Sequence, residues 1–308
     1  MMEPTYRAPF PWFGGKSRQA SIVWDRLGPI GRYIEPFCGS CAVLLSNPMP
    51  AATETINDAD GFLANFWRAV RLDPAGVATW ADYPVSELDL IARHRWLCRQ
   101  DFIDQLKDDP DYFDAKLAGW WLWGQCAWIG KGWGSKPQIE QLPHLGNAGM
   151  GINRKLPHLG DAGRGEYIRQ MIQDLSRRLR DVRIACGDWT RVVGPSVLRA
   201  GSGECGIFLD PPYDDSQHDV SYAGGGGVWA DVTAWCEEMS DTSNKIALCG
   251  YAGTWDAPEG WEVFKWAANG GYANSGDGVG KKNKTRETIW FSPACGRQSR
   301  MLFDGMTP

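Results

Sequence analysis

An α/β fold on a mostly parallel, doubly wound sheet is predicted by three features of this 308-residue chain. Short apolar runs end in an acidic residue or in glycine. Stretches with helical patterning separate them. One segment rich in tryptophan and glycine breaks that rhythm. Strands that alternate with helices imply a parallel sheet. Such sheets bind ligands beyond the carboxyl ends of their strands.

Tyr33-Ile34-Glu35-Pro36-Phe37 reads as the first strand, followed by the turn Cys38-Gly39-Ser40 and a helix start at Ala42-Val43-Leu44-Leu45. Glycine in such a turn lets a ligand approach the backbone, and a helix start offers free N–H groups. Thr55-Ile56-Asn57-Asp58 is the second strand. Asp58 stands where an acidic residue binds ribose hydroxyls in such folds. Val182 to Asp188 and Gly206-Ile207-Phe208-Leu209-Asp210 end in carboxylates too, and Lys245 to Tyr251 is a fifth strand. Trp261 to Trp266 and Glu287 to Phe291 are expected to form a terminal antiparallel pair. Helical patterns run from Gly165 to Arg180 and from Val228 to Met239. Glu35, Asp58, Asp188 and Asp210 would then line one crevice.

Residues 67–165 depart from this pattern and read as an inserted, partly helical subdomain, leaving 1–66 and 166–308 as the sheet domain. Many of the 17 tryptophans fall in the insertion, as in Gly119-Trp120-Trp121-Leu122-Trp123-Gly124. Most of them read as a small core, with some free to stack on bases. Leu142-Pro143-His144-Leu145-Gly146-Asn147-Ala148-Gly149 recurs as Leu156-Pro157-His158-Leu159-Gly160-Asp161-Ala162-Gly163. A period that short gives two similar loops rather than a solenoid. Acids outnumber bases from Leu72 to Ala115, and bases outnumber acids from Lys131 to Arg183, within a net charge of −5. Those bases, with Lys281, Lys282, Lys284 and Arg286, suit phosphate contacts. Nine scattered cysteines fit a reducing cytosol. Met1 to Pro11 shows no secretory pattern, and no window is apolar enough to cross a membrane.

The sharpest motif is Asp210-Pro211-Pro212-Tyr213. Two prolines end the strand and hold a carboxylate and its neighbouring carbonyls rigidly beside an aromatic ring. Acceptors beside a ring suit a flat base that bears an amino group. Together with Glu35-Pro36-Phe37-Cys38-Gly39-Ser40, the motif resembles the Dam-type (D12 class) family of adenine-specific DNA methyltransferases, phage and prophage members included. Trp12-Phe13-Gly14-Gly15-Lys16, Cys186-Gly187-Asp188-Trp189 and Glu287-Thr288-Ile289-Trp290-Phe291-Ser292-Pro293 resemble further motifs of that family. Cys41 departs from it, for the family usually has glycine there.

The resemblance implies a Rossmann-like class I methyltransferase sheet. It implies S-adenosylmethionine as cofactor, held by Trp12, Gly15, Lys16, Glu35, Phe37, Cys38, Gly39, Ser40, Asp58, Asp188, Trp189 and Asp210, with no metal. Asp210, Pro211, Pro212 and Tyr213 would act on a flipped adenine. Double-stranded DNA is the expected partner, through Lys131, Lys136, His144, Asn147, Arg154, Lys155, His158, Lys281 and Lys282, with no membrane, a cytoplasmic location and a monomeric chain. Two other readings stay open: a DNA-binding protein that keeps the fold without activity, and an RNA adenine methyltransferase. Cys38 and Cys41 form a C-x-x-C pattern with a redox reading, and His94, Cys98, Cys126 and His144 form an irregular zinc reading.

Overall fold

The computed structural model describes residues 6–12, 14–128, 132–134, 165–199, 203–212, 227–266 and 287–296. Seven strands form one sheet: β1 (Arg32–Glu35), β2 (Thr53–Asp58), β3 (Val182–Cys186), β4 (Cys205–Leu209), β5 (Lys245–Tyr251), β6 (Glu262–Lys265) and β7 (Glu287–Phe291). Their order is β3-β2-β1-β4-β5-β7-β6. The first five run parallel, while β7 is antiparallel to both β5 and β6. The chain winds outward from β1 to β3, then returns to β4 beside β1. Strand order reverses between β1 and β4, and the carboxyl edge at that reversal is where open α/β sheets hold ligands.

Side-chain alternation divides the apolar residues between the two faces of the sheet. Ile207 and Leu209 of β4, with Ile246 and Leu248 of β5, join a cluster that includes Trp189, Trp229 and Trp290. Phe208, Ala247 and Cys249 join the larger cluster on the opposite face. All five residues of β4 are buried, as expected of a central parallel strand covered on both sides.

Helix α1 (Ala20–Leu27) precedes β1, and the single turn α2 (Ala42–Leu45) follows it. Helix α3 (Gly61–Leu72) starts after β2, where Asp60 caps it by accepting from Phe62 N–H at 2.8 Å. Four helices follow: α4 (Pro74–Ala81), α5 (Glu87–Leu97), α6 (Ile103–Asp108) and α7 (Ala115–Ala127). Asp73, Ser86 and Asp114 cap α4, α5 and α7, each cap contributing about 1 kcal/mol. Helix α8 (Glu166–Leu179) buries Ile168, Ile172, Leu175 and Leu179 at helical spacing. A 3₁₀ turn (Trp189–Val192) and α9 (Pro195–Arg199) lead from β3 toward β4, and α10 (Val228–Glu238) precedes β5.

The tryptophan-rich stretch is α7, apolar on nearly every side and packed among α3, α4 and α5. A Cβ at Gly124 would lie 1.8 Å from the Trp133 ring, so only glycine lets that indole reach the helix. Trp121 and Trp123 are fully buried and belong to the same cluster as Phe10, Phe66 and Trp67. The helices from Pro74 to Ala127 therefore share an apolar core with the sheet, and position 67 lies inside α3. Among the described residues no helix is long and apolar enough to cross a membrane.

Candidate active site at the carboxyl edge

The turn after β1 is fixed from several sides. Cys38 N–H donates to the Asn57 carbonyl at 2.9 Å, and Cys41 N–H to the Cys38 carbonyl at 2.7 Å. Gly39 N–H donates to Asp58 Oδ2 at 3.0 Å, and Trp67 Nε1–H donates to the Gly39 carbonyl at 3.1 Å. Gly39 has φ +44°, and a Cβ there would meet Trp12 Nε1 at 2.4 Å. Trp12 thus lies directly on the glycine turn, with its ring also against Phe10 and Trp121. Cys41 sits in the left-handed region at φ 53°, ψ 28°, a conformation that costs a residue with a Cβ about 1–2 kcal/mol. Glycine, with no Cβ, would adopt that backbone without this cost.

The ends of β2 and β3 are tied to the same turn. Asp58 Oδ1 accepts from Asp60 N–H at 3.0 Å, opposite the bond from Gly39. Burial pushes the Asp58 carboxyl above its ordinary value. Asn57 Nδ2 donates to the Pro36 and Gly187 carbonyls, both at 3.0 Å, so one amide clamps the loops after β1 and β3. Sequence reading passed over Asn57, since a lone Asn inside a strand carries no signal. Asp188 is exposed and caps the 3₁₀ turn through Thr190. The Phe37 ring is half-buried, 6.0 Å from the buried Trp189 ring.

Lys16 and Asp210 form the polar centre. The Lys16 ammonium is 3 % exposed. It donates to the Gly14 carbonyl at 2.6 Å, lies 2.9 and 3.0 Å from the two Asp210 oxygens, and is 3.9 Å from Glu287 Oε2. Burial alone would lower the lysine pKa, but the carboxylates of Asp210 and Glu287 outweigh it and raise the pKa above the usual value. Lys16 is therefore a fixed cation. Pro211 is buried and Pro212 half-buried, so the strand's exit is held rigid. Sequence reading placed Lys16 beside the cofactor, and the structure joins its ammonium to the Asp210 carboxylate. Glu287 was expected in a strand, not at the site; its sequence signal was only its place as the first residue of that strand.

Glu35, expected in a crevice with Asp58, Asp188 and Asp210, is buried beneath the turn instead. It is 2 % exposed, and its Oε2 accepts from Tyr33 O–H at 3.0 Å and from Leu44 N–H at 3.2 Å. Burial lifts its pKa to about 8. The carboxyl turns under the loop and fastens α2 to β1, so it supports the turn from beneath. The two thiols of the C-x-x-C pattern are buried, and burial raises both pKa values, Cys41 to about 11. Neither is an activated nucleophile. All nine cysteines are free. Cys98 lies 3.7 Å from His94 Nε2, while Cys126 donates to the Pro9 carbonyl. Among the described residues no three His, Cys, Asp or Glu side chains are grouped to hold a metal ion.

Tyr213 and the expected DNA contacts Lys131, Lys136, His144, Asn147, Arg154, Lys155, His158, Lys281 and Lys282 lie outside the described residues, as do both copies of the repeat. A cavity of about 240 Å³ opens elsewhere, on the sheet face lined by Arg32, Thr53, Thr55 and Arg183.

The parallel sheet with its antiparallel last strand, and the Asp210 carboxylate at the strand reversal, define a Rossmann-like α/β protein with a polar centre at its carboxyl edge. Residues 12–114 match the family of D12 class N6 adenine-specific DNA methyltransferases. That stretch holds the Trp12 to Lys16 segment, the glycine turn and Asp58; the Asp210 motif lies beyond it. Two solved structures are similar over most of the chain. One is described as "Putative methyltransferase yhhF" from Escherichia coli, at 10% identity, covering 94% of this chain and 92% of that one, with TM-score 0.34. The other is the rRNA methyltransferase aviRa from Streptomyces viridochromogenes, at 13% identity, covering 94% and 88%, with TM-score 0.35. No curated protein matches the chain.

Proposed function

We propose that this protein transfers a methyl group from S-adenosylmethionine to the exocyclic amino group of adenine in DNA. The observation that carries the reading is the Asp210 carboxylate at the end of β4, at the strand reversal, fixed by the buried Lys16 ammonium at 2.9 Å and backed by two prolines. The family match over residues 12–114 supplies the class of reaction and substrate.

The donors present suit an adenosine-containing cofactor. The Asp58 carboxylate takes backbone N–H groups from Gly39, Asp60 and Ala59 and has a further lone pair for a ribose hydroxyl. Asp188 is an exposed acceptor, and the half-buried Phe37 offers a ring edge or face to a purine. Trp12 packs on the Cys38 to Ser40 turn, which Asp58 holds through Gly39. When bound, S-adenosylmethionine supplies a methyl group already activated by its sulfonium, so the chemistry has no need of a metal.

The residues of this chain then act on the base. Adenine's amino nitrogen shares its lone pair with the ring. Acceptors aimed at its hydrogens favour the pyramidal form, and the Asp210 carboxylate with the Pro211 carbonyl fills that role. Methyl transfer would place positive charge on that nitrogen. A preorganised carboxylate stabilises that charge until a proton leaves. Tyr213 stacks on the base in this reading, and the base must first leave the duplex. The basic segment 131–164 and Lys281 and Lys282 meet the phosphates, making residues 67–165 the recognition part of the molecule. The protein acts as a monomer in a reducing cytoplasm, as its free thiols allow.

Incubation with methyl-labelled cofactor and, in parallel, unmethylated DNA and RNA tests this reading. Label in DNA that is recovered as 6-methyladenine supports it. Label confined to RNA establishes the RNA reading instead, and binding of DNA without label in either establishes the inactive one.

A further inference from the structure

We infer that Asn57 is a positioning residue for the adenine half of the cofactor: its side-chain amide ties the loops after β1 and β3 together and so sets Phe37 against Asp188. The inference rests on the methyl-transfer reading above and adds to it a residue that need touch neither cofactor nor base.

The sheet brings Asn57 to the place where two ladders end. Strand β2 lies between β1 and β3, with Ile56 paired to Glu35 on one side and Asp58 to Cys186 on the other. Beyond those pairs each loop keeps a backbone bond to β2. Cys38 N–H donates to the Asn57 carbonyl at 2.9 Å, and Gly187 N–H to the Asp58 carbonyl at 3.0 Å. These bonds hold each loop to β2 but not to the other loop. The Asn57 side chain does that, for its Nδ2 donates to the Pro36 and Gly187 carbonyls, both at 3.0 Å. A primary amide carries two N–H donors on one nitrogen, whereas a hydroxyl carries one and a carboxylate none. Asn57 is buried, and its Oδ1 has no hydrogen-bond partner among the described residues. The side chain therefore works through its nitrogen alone.

The two carbonyls adjoin the groups that suit a purine. Pro36 precedes Phe37, and Gly187 precedes Asp188. Alternation along β2 puts Ile56 on the face of the larger cluster and Asn57 on the other face, where Phe37 packs against the cluster that holds Trp189. With both carbonyls bound to one nitrogen, the Phe37 ring and the exposed Asp188 carboxylate keep a single spacing before any ligand arrives. A flat base that stacks on the ring then meets an acceptor for its amino group, and the loops need no ordering first. Such ordering is a cost of binding that a preorganised site avoids. Asn65 provides the contrast. It is buried too, but its Nδ2 donates to the Asp114 carbonyl and its Oδ1 accepts from Asp114 N–H, both at 2.9 Å. Those bonds fasten α3 to the start of α7, in the helical layer.

The test uses the full chain with Asn57→Leu and, as control, Asn65→Leu; each removes the hydrogen bonds of a buried asparagine and keeps nearly its shape. Calorimetry measures the affinity for S-adenosylmethionine, for adenosine and for inosine, which lacks the amino group, and thermal unfolding is followed alongside. The inference expects Asn57→Leu to weaken S-adenosylmethionine and adenosine roughly tenfold, the scale of loop and side-chain ordering on binding, and to shrink the preference for adenosine over inosine. Asn65→Leu also lowers the unfolding midpoint but leaves the affinities and the preference within about twofold, as for an independent site. In methylation of unmethylated DNA, Asn57→Leu raises KM for the cofactor while kcat changes by less than about twofold, since the lost binding is shared by ground and transition states. Should Asn57→Leu not fold, Asn57→Ser, which keeps one donor, is read with the same expectations and a smaller effect. Unchanged affinities in the folded variant overturn the inference. So does an equal loss in Asn65→Leu, which reports stability rather than loop spacing, and so does a loss that leaves the adenosine preference intact. A parent protein that binds no S-adenosylmethionine overturns the functional reading and this inference together. One that binds it yet methylates no adenine overturns the functional reading alone, and the calorimetry still decides the role of Asn57.

Discussion

Two buried cations in this molecule are held in opposite ways. Lys16, at the carboxyl edge of the sheet, is 3 % exposed and meets carboxylates: both oxygens of Asp210, and Glu287. Arg93, on α5 in the helical layer, is 5 % exposed and meets rings. Its guanidinium carbon lies 4.1 Å from the centre of Trp123, 4.3 Å from Tyr83 and 5.3 Å from Trp120. Its Nη1 is buried with no hydrogen-bond partner among the described residues. Burial lowers the Arg93 pKa, whereas neighbouring anions raise that of Lys16. Lys116 repeats the aromatic arrangement nearby, 4.4 to 5.4 Å from the centres of Trp120, Trp96 and Trp80. The sheet edge sets ions against ions and so builds a directed field. Around Arg93 and Lys116 the helical layer covers cations with rings and so builds packing, while Arg178 of α8 pairs with Glu54.

Removing each cation tests that contrast most strongly. Lys16→Met removes the cation from two carboxylates in a largely buried site, and breaking a buried pair from one side costs about 3–5 kcal/mol. Because Asp210 remains 19% exposed, the low end, about 3 kcal/mol, is expected in denaturant titrations, together with loss of methyl transfer. Arg93→Met takes away a charge that has no paired anion among its contacts and leaves an apolar chain among the rings. It is expected to change stability by only about 1 kcal/mol, since losing the cation–ring attraction and relieving the desolvation of the charge oppose each other. Similar costs for the two variants would erase the distinction.

Gly39→Ala comes next. The added methyl meets Trp12 at 2.4 Å on a residue with positive φ, an overpacking that costs about 1–3 kcal/mol. Calorimetry should also show weaker S-adenosylmethionine binding, because Trp12 must move off the turn. The same substitution at Gly227, where an added Cβ meets nothing within 4 Å, is the control and should leave cofactor affinity as it was.

The smallest effect is a pH dependence. Glu35 has its folded pKa raised to about 8 by burial, so the native state binds the proton more tightly than the unfolded chain. Its stabilising contribution is therefore present below the unfolded value of 4.5 and is lost as pH rises through about 8. Glu35→Gln removes this slope. Unfolding midpoints of parent and variant, measured from pH 5 to pH 9, should diverge in the variant's favour as pH rises. A constant difference across that range would mean that Glu35 is ionised throughout.

The sheet was largely legible in the sequence, because its strands are short apolar runs closed by acidic or glycine residues. All seven expected strands are present, with ends that coincide or shift by one or two residues, as where Pro36 and Gly187 begin loops. The antiparallel last pair was legible too. The aromatic layer was legible as composition alone, and which indole packs on which depends on tertiary contacts such as Trp133 against Gly124. Asp58 and Asp210 stand at the edge that their strands imply. Glu35 was misread because a carboxylate at a strand end looks the same in sequence whether it faces the crevice or turns beneath the loop, and the partner Tyr33 decides it. Asn57 and Glu287 escaped notice because each owes its position to strand neighbours far away in the chain.

The central claim is that Asp210 acts on an adenine amino group. It is tested most directly by mapping modified bases, by single-molecule sequencing, in unmethylated DNA treated with the parent protein or with Asp210→Ala. The account predicts 6-methyladenine at a recurring sequence for the parent. For the variant it predicts a rate lower by about a hundredfold to a thousandfold, with cofactor affinity changed far less. A variant that keeps more than about a third of the parent's turnover, a far smaller loss than removal of one such group causes, would contradict it, as would methyl groups found on another base.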